Sequence, residues 1–311
     1  MNQITIITFN YGKAGRYVNG PGMCLVNFVK KLKQLGVKVN VFSALTSDDC
    51  YDLQNKSLLE KSIRSSDLIH HWSGLNVLFI DALKFAERLK IPILIGPNVL
   101  DTVDMKSETQ YLKQISYDKI LTVNLRLKFR LAKQHKISLD KIDLLLIGPD
   151  EEIWKPIPKD NGKILWKGNS KQFVKDVNFG LQIKNNLPEY DFEFIGYPEP
   201  YNYNTHIESA KSCHLYISTS LSETMGLALL ESYCAGIPSI THPKIYLNVD
   251  NYKTGIITNR DVESYCDSIR EIMEDDTLYR FLSQGARDYI TDNFSGVAKQ
   301  YLKNYGKNIW K

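Results

Sequence analysis

The sequence of 311 residues is 43% hydrophobic and 24% charged, which excludes a disordered, collagen-like or coiled-coil chain and allows one large or two medium domains. Its net charge of +4 is uneven, because residues 1–155 carry 22 Lys/Arg against 16 Asp/Glu whereas residues 156–311 carry 17 against 19. A basic half can attract a nucleic acid, an anionic membrane surface or a phosphorylated substrate, and charge alone does not separate these partners.

The first half of the chain alternates short β-rich runs with amphipathic stretches, which is the pattern of a parallel α/β domain. The predicted strands are 4–9, 37–42, 67–72, 91–95, 118–123 and 142–147. The predicted helices, where apolar residues recur at helical spacing, are 22–35, 75–90 and 124–136. Residues 148–163 are dense in Pro, Gly and charge and predict an interdomain linker.

The same alternation restarts in the second half of the chain. The predicted strands are 163–167, 191–196, 214–218 and 237–240. The predicted helices are 172–187, 226–235, 261–273 and 276–291. Two α/β domains of about equal size are the economical interpretation. Ligands of such sheets bind beyond the carboxyl ends of the strands, so we expect the function in strand-end loops.

Other sequence features bear on the compartment. No apolar run reaches the roughly 18 residues that a membrane-spanning helix needs, and the N-terminal residues do not show a signal-peptide pattern. The five cysteines are widely spaced and include no CxxC pair, which predicts neither a disulfide framework nor a zinc site. We therefore expect a cytoplasmic protein.

The most informative stretch is STSLSETMGLALLESYCAGIPSI, residues 218–240. It follows a predicted strand, places Glu223 before Gly226, and continues into an apolar helix that holds Glu231. A helix N-terminus here favours a phosphate, and two carboxylates facing one groove can accept hydrogen bonds from sugar hydroxyls. The alternative is that Ser222 or Glu223 only caps the helix and that Glu231 pairs with a nearby lysine.

The spacing of Glu223 and Glu231 matches the E-x7-E arrangement of retaining glycosyltransferases with the GT-B fold, and the block resembles the PSxxExFGxxxxEAMAxGxPV pattern of glycosyltransferase family 4. The resemblance implies an α/β GT-B fold, with two Rossmann-like domains facing a central cleft. It also implies that Glu223 contacts the donor sugar and that Glu231 holds the nucleotide ribose. The remaining donor-binding residues that it implies in this block are Ser222, Thr224, Met225, Gly226 and Leu227.

Segments elsewhere resemble further parts of the family pattern. The loop NGPG places Gly20 and Gly22 against the donor diphosphate, and DLIHHWSGL makes His71 a catalytic and His70 an acceptor-binding candidate. Asn98 stands where many members carry a histidine beside the donor sugar, and it is a further catalytic candidate. On the acceptor side, the loop after the first strand offers Arg16 and Tyr17.

The run KILWKGNSKQFVKDVNFG resembles the segment that holds the basic pair of the family. Gly168 matches the donor-binding glycine, Lys175 matches the catalytic lysine, and Asn169 stands where an arginine is expected. Lys171 or Lys167 could supply a positive charge, but neither offers the bidentate fork of an arginine.

The resemblance implies an acceptor domain at 1–152, a donor domain at 153–290, and a C-terminal helix at 291–311 that crosses back to the first domain. The implied activity is that of a retaining glycosyltransferase of class EC 2.4. It would move a sugar from a UDP- or GDP-linked donor to a hydroxyl of a glycan, lipid-linked or other acceptor. We expect a front-face mechanism, no metal and no cofactor. We also expect Glu231→Ala to abolish donor use while leaving the melting temperature nearly unchanged.

Three alternatives remain open at this point: a glycosyltransferase that modifies DNA, a catalytically silent GT-B-like protein that binds a nucleotide or glycan, and, more remotely, a sugar-nucleotide epimerase. The predicted helix 124–136 carries a cluster of cations, namely Arg126, Lys128, Arg130, Lys133 and Lys136. It could dock on an anionic membrane, contact DNA phosphates, or be an ordinary solvated surface. Peripheral contact with the inner membrane face would accompany the first case, and nucleic acid is the less favoured partner.

Overall fold

A computed structural model describes residues 3–11, 20–45, 49–72, 79–98, 110–158, 162–199, 203–243 and 249–306 of the chain. The chain divides into two compact units. The first comprises Met1–Ile147 together with Gly296–Lys311, and the second comprises Gly148–Ser295. None of the helices in the described ranges is long and apolar enough to cross a membrane.

The first unit is built on a parallel sheet of seven strands in the order β3-β2-β1-β4-β5-β6-β7. The strands are β1 (Gln3–Asn10), β2 (Lys38–Leu45), β3 (Tyr51–Asp52), β4 (Leu68–Trp72), β5 (Ile93–Asn98), β6 (Lys119–Thr122) and β7 (Ile142–Leu144). The helices are α1 (Gly20–Gln34), α2 (Lys56–Arg64), α3 (Ile80–Arg88), α4 (Leu125–His135) and, from the C-terminal segment, α10 (Val297–Tyr301).

Burial explains the pattern of these elements. Strand β4 is buried along its whole length, as expected for a central strand that helices cover on both faces. Helix α1 buries Leu25, Phe28, Val29 and Leu32, which lie on one face of the helix because they recur at helical spacing.

The C-terminal segment belongs to the first unit through aromatic contacts. The ring of Tyr301 stacks on His70 and meets Phe28 edge to face, with centroids 5.6 and 5.0 Å apart respectively. The hydroxyl of Tyr305 donates to Asp143 Oδ2 over 3.0 Å. These contacts hold Tyr301 and Tyr305 against β4, α1 and β7.

The second unit is built on a parallel sheet of five strands in the order β12-β11-β10-β8-β9. The strands are β8 (Ile164–Lys167), β9 (Phe192–Ile195), β10 (Leu215–Ile217), β11 (Ser239–Thr241) and β12 (Gly255–Ile257). The helices are α5 (Val177–Asn185), α6 (Tyr203–Ser212), α7 (Leu227–Cys234), α8 (Val262–Glu274) and α9 (Asp276–Phe294).

Each sheet has one place where consecutive crossovers run in opposite directions: between β1 and β4 in the first, and between β8 and β10 in the second. The two helices that follow such a pair of strands lie on opposite faces of the sheet, which opens a crevice beyond the strand ends. Ligands of open parallel sheets bind at such crevices. The second of these places contains the candidate site.

The predicted α/β class with two parallel sheets is confirmed, and every predicted strand has a counterpart in the structure. The sequence analysis missed β3, β12, α2 and α6. The two strands are too short to show an alternation, and the two helices are largely polar. The helix predicted from residue 172 begins only at Val177, because Asp176 has φ 44° and caps it by accepting from the amide of Phe179.

Candidate donor-binding site

The site lies where β8 and β10 end side by side. The two strands are paired through Leu215 with Ile164 and Tyr216 with Leu165, so the segments that follow them emerge together. Strand β8 ends at Lys167 and leads into a short 3-10 turn, Phe173–Lys175. Strand β10 leads through residues 218–226 into α7. The switch point therefore joins the two motifs that the sequence singles out.

Helix α7 begins directly after a glycine in the left-handed conformation. Gly226 precedes the helix with φ 64°, a left-handed conformation that residues with a side chain rarely adopt. The N-cap position is Gly226, and in the described ranges neither Ser222 nor Glu223 accepts a hydrogen bond from an amide of the helix, so the interpretation of either residue as a cap is wrong. The first-turn amides of a helix have no acceptor inside the helix, and together with the helix dipole they favour an anion.

Glu231 forms a buried ion pair with Lys167. The Lys167 ammonium contacts Glu231 Oε2, and the side chains are only 7% and 8% exposed. Lys167 Nζ also lies 4.2 Å from the ring centroid of the buried Trp154, in a cation–π contact. Burial lowers the pKa of Lys167, and the carboxylate of Glu231 opposes that shift. The sequence analysis left open that Glu231 pairs with a lysine. The structure contains such a pair, and its lysine is Lys167 at the end of β8.

Glu223 forms a second ion pair, with Lys175. Their side chains are 12% and 21% exposed, so solvent reaches this pair more readily than the first. The hydroxyl of Ser220 donates to Glu223 Oε1 over 2.7 Å. In each pair one carboxylate oxygen contacts a lysine, while Glu223 Oε2 and Glu231 Oε1 make no hydrogen bond to any part of the chain that the structure describes.

The turn that carries Lys175 is tied to the segment after β10. Thr219 Oγ1 donates to the carbonyl of Lys175 over 2.8 Å and in turn accepts from Trp166 Nε1 over 2.8 Å. The amide of Leu221 donates to the carbonyl of Val174 over 2.7 Å. These bonds fix the lysine turn relative to Glu223.

Arg260 is a residue that the sequence analysis missed. Its guanidinium pairs with Asp176, donates to the carbonyl of Thr219 over 3.3 Å, and lies 4.5 Å from the ring centroid of Phe179. It thus links the turn after β8 to the segment after β10. No local signal marks it, because it precedes α8 and lies 84 residues from Asp176 in the chain.

Gly168 and Asn169 shape the turn without adding charge. A Cβ atom at Gly168 would lie 3.1 Å from Trp166 and 3.4 Å from Lys175 Cδ, so this position has little room for a side chain. Asn169 is exposed, and its Oδ1 accepts from the amide of Lys171 over 3.1 Å. Lys171 is also exposed. Of Lys167, Lys171 and Lys175, it is Lys167 and Lys175 that lie beside the two glutamates.

His70 and His71, two histidines of the first unit, are fully buried. His70 Nε2 lies 2.8 Å from the carbonyl of Gly96 and Nδ1 lies 2.9 Å from the Tyr301 hydroxyl, while His71 Nδ1 lies 2.6 Å from the Tyr111 hydroxyl. Burial lowers the pKa of His70 to about 4 and that of His71 to about 3. Both rings are core residues, and their contacts with a substrate stay predictions.

The remaining predicted residues are placed only in part. Gly20 and Gly22 lie in the first turn of α1. Asn98 is the last residue of β5, and the structure describes its backbone only. Arg16 and Tyr17 lie outside the described residues. Thr224 and Leu227 are half-buried and Met225 is buried. In the ranges that the structure describes, no group of three or more His, Cys, Asp or Glu could hold a metal ion.

Comparison with known proteins gives one family and one fold. The family described as Glycosyl transferases group 1 matches residues 130–289, just over half of the chain. No curated protein sequence matches the chain.

Among solved structures, a glycosyltransferase from Rickettsia africae ESF-5 is similar at 18% identity and a TM-score of 0.75, with both chains covered fully. Sucrose-phosphate synthase from Thermosynechococcus elongatus is similar at 14% identity and a TM-score of 0.70, with 99% of each chain covered. Anabaena Alr3699/HepE in complex with UDP is similar at 13% identity and a TM-score of 0.71, with 99% of this chain and 100% of that chain covered. At these identities the likeness shows the fold, which is the GT-B fold of glycosyltransferases.

Proposed function

The chain belongs to the glycosyl transferases group 1 family and is a glycosyltransferase of class EC 2.4, and we propose that its donor is a UDP- or GDP-linked sugar bound beside α7. The observation that carries this proposal is the pair of contacts Lys167–Glu231 and Lys175–Glu223 at the switch point of the second sheet. The similar Anabaena Alr3699/HepE structures hold UDP and UDP-glucose, which favours a uridine nucleotide.

Each part of the donor has a matching group in this arrangement. The amides at the start of α7 and the ammonium of Lys175 face the diphosphate, because both carry positive charge. Glu231 Oε1 accepts from a ribose hydroxyl and Glu223 Oε2 accepts from a sugar hydroxyl, since neither oxygen has a partner in the described part of the chain. The second unit is then the donor domain, and the first unit holds the acceptor.

We further propose that the reaction retains the configuration of the sugar, as in family 4, by attack on the front face of the donor. The bond from the anomeric carbon to the diphosphate oxygen breaks, and a bond to the acceptor oxygen forms on the same face. The acceptor proton passes to the departing phosphate oxygen. The α7 amides and Lys175 stabilise the charge that develops on the diphosphate, which is the electrostatic role that a metal fills elsewhere. We therefore expect turnover without a metal.

Calorimetric titration of UDP, GDP and ADP, followed by their sugar conjugates, tests this proposal. We expect one nucleotide to bind equally well with and without a chelator, and to bind much more weakly to the Glu231→Gln variant. Glu208→Gln is the control at another ion pair, because Glu208 pairs with Lys211 on α6 and its side chain is 73% exposed. If the wild type binds none of the three nucleotides, the donor site as proposed is wrong.

A catalytically silent nucleotide-binding protein is the second candidate, favoured by Asn169, which stands in place of the expected arginine and whose side chain bonds within its own turn. Slow release of the nucleotide from its sugar conjugate in water distinguishes the two. A transferase should hydrolyse its bound donor slowly in the absence of acceptor, and this reaction should be lost in Lys175→Met. A silent binder would leave the bound conjugate intact.

For the acceptor we propose a lipid-linked hydroxyl at an anionic membrane surface. Helix α4 contains no acidic residue, and it exposes Leu125 and Phe129 at 57% and 56% on the face that also carries Lys133. Exposed apolar side chains among cations favour an interfacial lipid contact, whereas contact with DNA phosphates requires the cations alone.

Co-sedimentation with vesicles of phosphatidylglycerol and phosphatidylcholine tests this contact. We expect binding that rises with the anionic lipid fraction and falls in Leu125→Ser/Phe129→Ser. Phe281→Ser is the matched control, because Phe281 is 59% exposed on α9 of the other unit. Binding to duplex DNA that Leu125→Ser/Phe129→Ser leaves unchanged would favour the nucleic-acid alternative, and no binding to either would leave α4 as a solvated surface.

A further inference from the structure

We propose that Lys167 is the positioning residue of the nucleotide site: it holds the Glu231 carboxylate in place and oriented toward the ribose, and thereby sets the selectivity for a ribonucleotide over a deoxyribonucleotide. This inference rests on the proposed donor site. It concerns a lysine that stands directly before Gly168 and that the sequence analysis considered only as a source of positive charge, not as a support for Glu231.

Lys167 has the geometry of a fixed support. It is the last residue of β8, its ammonium contacts Glu231 Oε2, and its approach is set by the ring of Trp154, 4.2 Å away at the centroid. Both side chains of the ion pair are more than nine-tenths buried. A side chain held by a strand end, an aromatic ring and an ion pair has little rotational freedom. The orientation of Glu231 is therefore decided before any nucleotide binds.

Glu231 needs this support because it is itself buried, in the second half of α7. Burying a charged carboxylate is costly unless a cation compensates it. The buried Tyr216 on β10 does not offer a cation, and burial together with the charges of Glu223 and Glu231 raises the pKa of its hydroxyl. Lys167 is thus the cation that keeps the Glu231 carboxylate available as a hydrogen-bond acceptor.

The two oxygens of Glu231 then have different tasks. Oε2 contacts Lys167, and Oε1 is left for a ligand, because it makes no hydrogen bond to the described part of the chain. A carboxylate oxygen that is fixed in place accepts a hydrogen bond from a ribose hydroxyl, and it is left unsatisfied when that hydroxyl is missing. Loss of Lys167 should therefore reduce the discrimination between a nucleotide and its deoxy counterpart in the folded variant.

The experiment compares affinities for a nucleoside diphosphate and for its 2′-deoxy and 3′-deoxy forms, by calorimetry, in the wild type and in Lys167→Met. The nucleotide used is whichever of UDP, GDP and ADP the wild type binds. We expect the wild type to favour the ribonucleotide over at least one deoxy form by about tenfold or more, and Lys167→Met to lose most of that preference. Lys211→Met is the matched control, because Lys211 is a buried lysine with an ion pair on α6. It should keep the preference.

Thermal melts accompany each titration, and Lys167→Gln serves if Lys167→Met does not fold, because the amide keeps a hydrogen bond to Glu231. Lys167→Gln should show an intermediate preference. A wild type that binds no nucleotide would overturn the proposed donor site together with this inference. A wild type that binds and discriminates, with the same discrimination in the Lys167 variant, would overturn the inference and leave the donor site standing. Binding without discrimination in the wild type would also overturn it.

Discussion

Lys167 and Glu231 form a buried ion pair across 64 residues of sequence. The lysine ends a strand and the glutamate lies in a helix that follows the neighbouring strand, so the pair exists because β8 and β10 are adjacent in the sheet. Burying two charges is costly unless each compensates the other, and removal of one leaves the other uncompensated. The pair therefore couples the stability of the second unit to its candidate site.

Replacing Glu231 with Ala should destabilise the second unit as well as remove donor binding. The sequence alone led us to expect an unchanged melting temperature, but the variant leaves Lys167 buried without its carboxylate. Breaking such a pair costs about 3–5 kcal/mol. In a domain of this size that lowers the melting temperature by on the order of 10 °C.

Differential scanning calorimetry of Glu231→Ala and of the double variant Lys167→Met/Glu231→Ala measures this effect. The double variant should recover much of the lost stability, since no buried charge is left unpaired, while donor binding stays lost. A Glu231→Ala protein that melts like the wild type would show that the ion pair does not stabilise the native state.

Lys175→Met should act on catalysis rather than on stability. The Lys175–Glu223 pair is partly open to solvent, so its loss should cost only about 1 kcal/mol. If Lys175 stabilises the departing diphosphate, its removal should lower kcat by roughly 10²–10³-fold. The measurement is the rate of nucleotide release from the sugar conjugate, beside a thermal melt. Lys171→Met, which removes an exposed lysine of the same loop, is the control and should keep the wild-type rate.

Arg260→Lys should raise KM for the donor although it keeps the charge. A lysine cannot pair with Asp176, bond to the carbonyl of Thr219 and stack on Phe179 at once, because it lacks the planar fork of the guanidinium. The turn that holds Lys175 should then be less firmly placed. Steady-state kinetics of the variant, with Arg270→Lys as the control at an exposed pair with Glu189, provides the measurement. Unchanged kinetics in Arg260→Lys would mean that Arg260 does not position this turn.

The first unit should lose stability as the pH falls below about 6.5. Burial lowers the pKa of His70 to about 4, against an opposing bond to Gly96, and burial with the charge of His70 lowers that of His71 to about 3. The unfolded histidines take up protons near pH 6.5, whereas the folded ones stay neutral until much lower pH. The two histidines therefore make their full contribution to the free energy of unfolding above pH 6.5. This contribution is lost progressively as the pH falls toward 4 and below.

Urea unfolding of the wild type and of His71→Gln at a series of pH values between about 7 and 4.5 tests the histidine effect. Removing one of the two titrating groups should reduce the pH slope of the unfolding free energy by up to about 1.4 kcal/mol per pH unit. A change in packing shifts the free energy of unfolding by the same amount at every pH, whereas a change in titration alters its pH slope. Comparing the pH slopes of the two proteins therefore separates the two effects. Parallel slopes would show that His71 is not held neutral in the folded chain.

The sequence by itself determined the α/β class, most strands and helices, and the local frame of the site. Glu223 and Gly226 directly precede α7 and Glu231 lies within it, so their relative placement follows from local spacing. The same stretch carries the family pattern. The sequence also predicted the roles of Gly168 and Lys175, because both lie in the short segment that follows β8. Each of these features depends on residues that are close in the chain.

Only the tertiary structure decided which side chains meet. Lys167 reaches Glu231, Arg260 reaches Asp176 and Thr219, and His70 meets Tyr301 across 231 residues. Periodicity in a sequence reports which face of an element is buried, but it does not report which element covers that face. Those partners depend on the strand order, in which β8 and β10 are neighbours although β9 separates them in the chain. The charge balance of the site follows from that order.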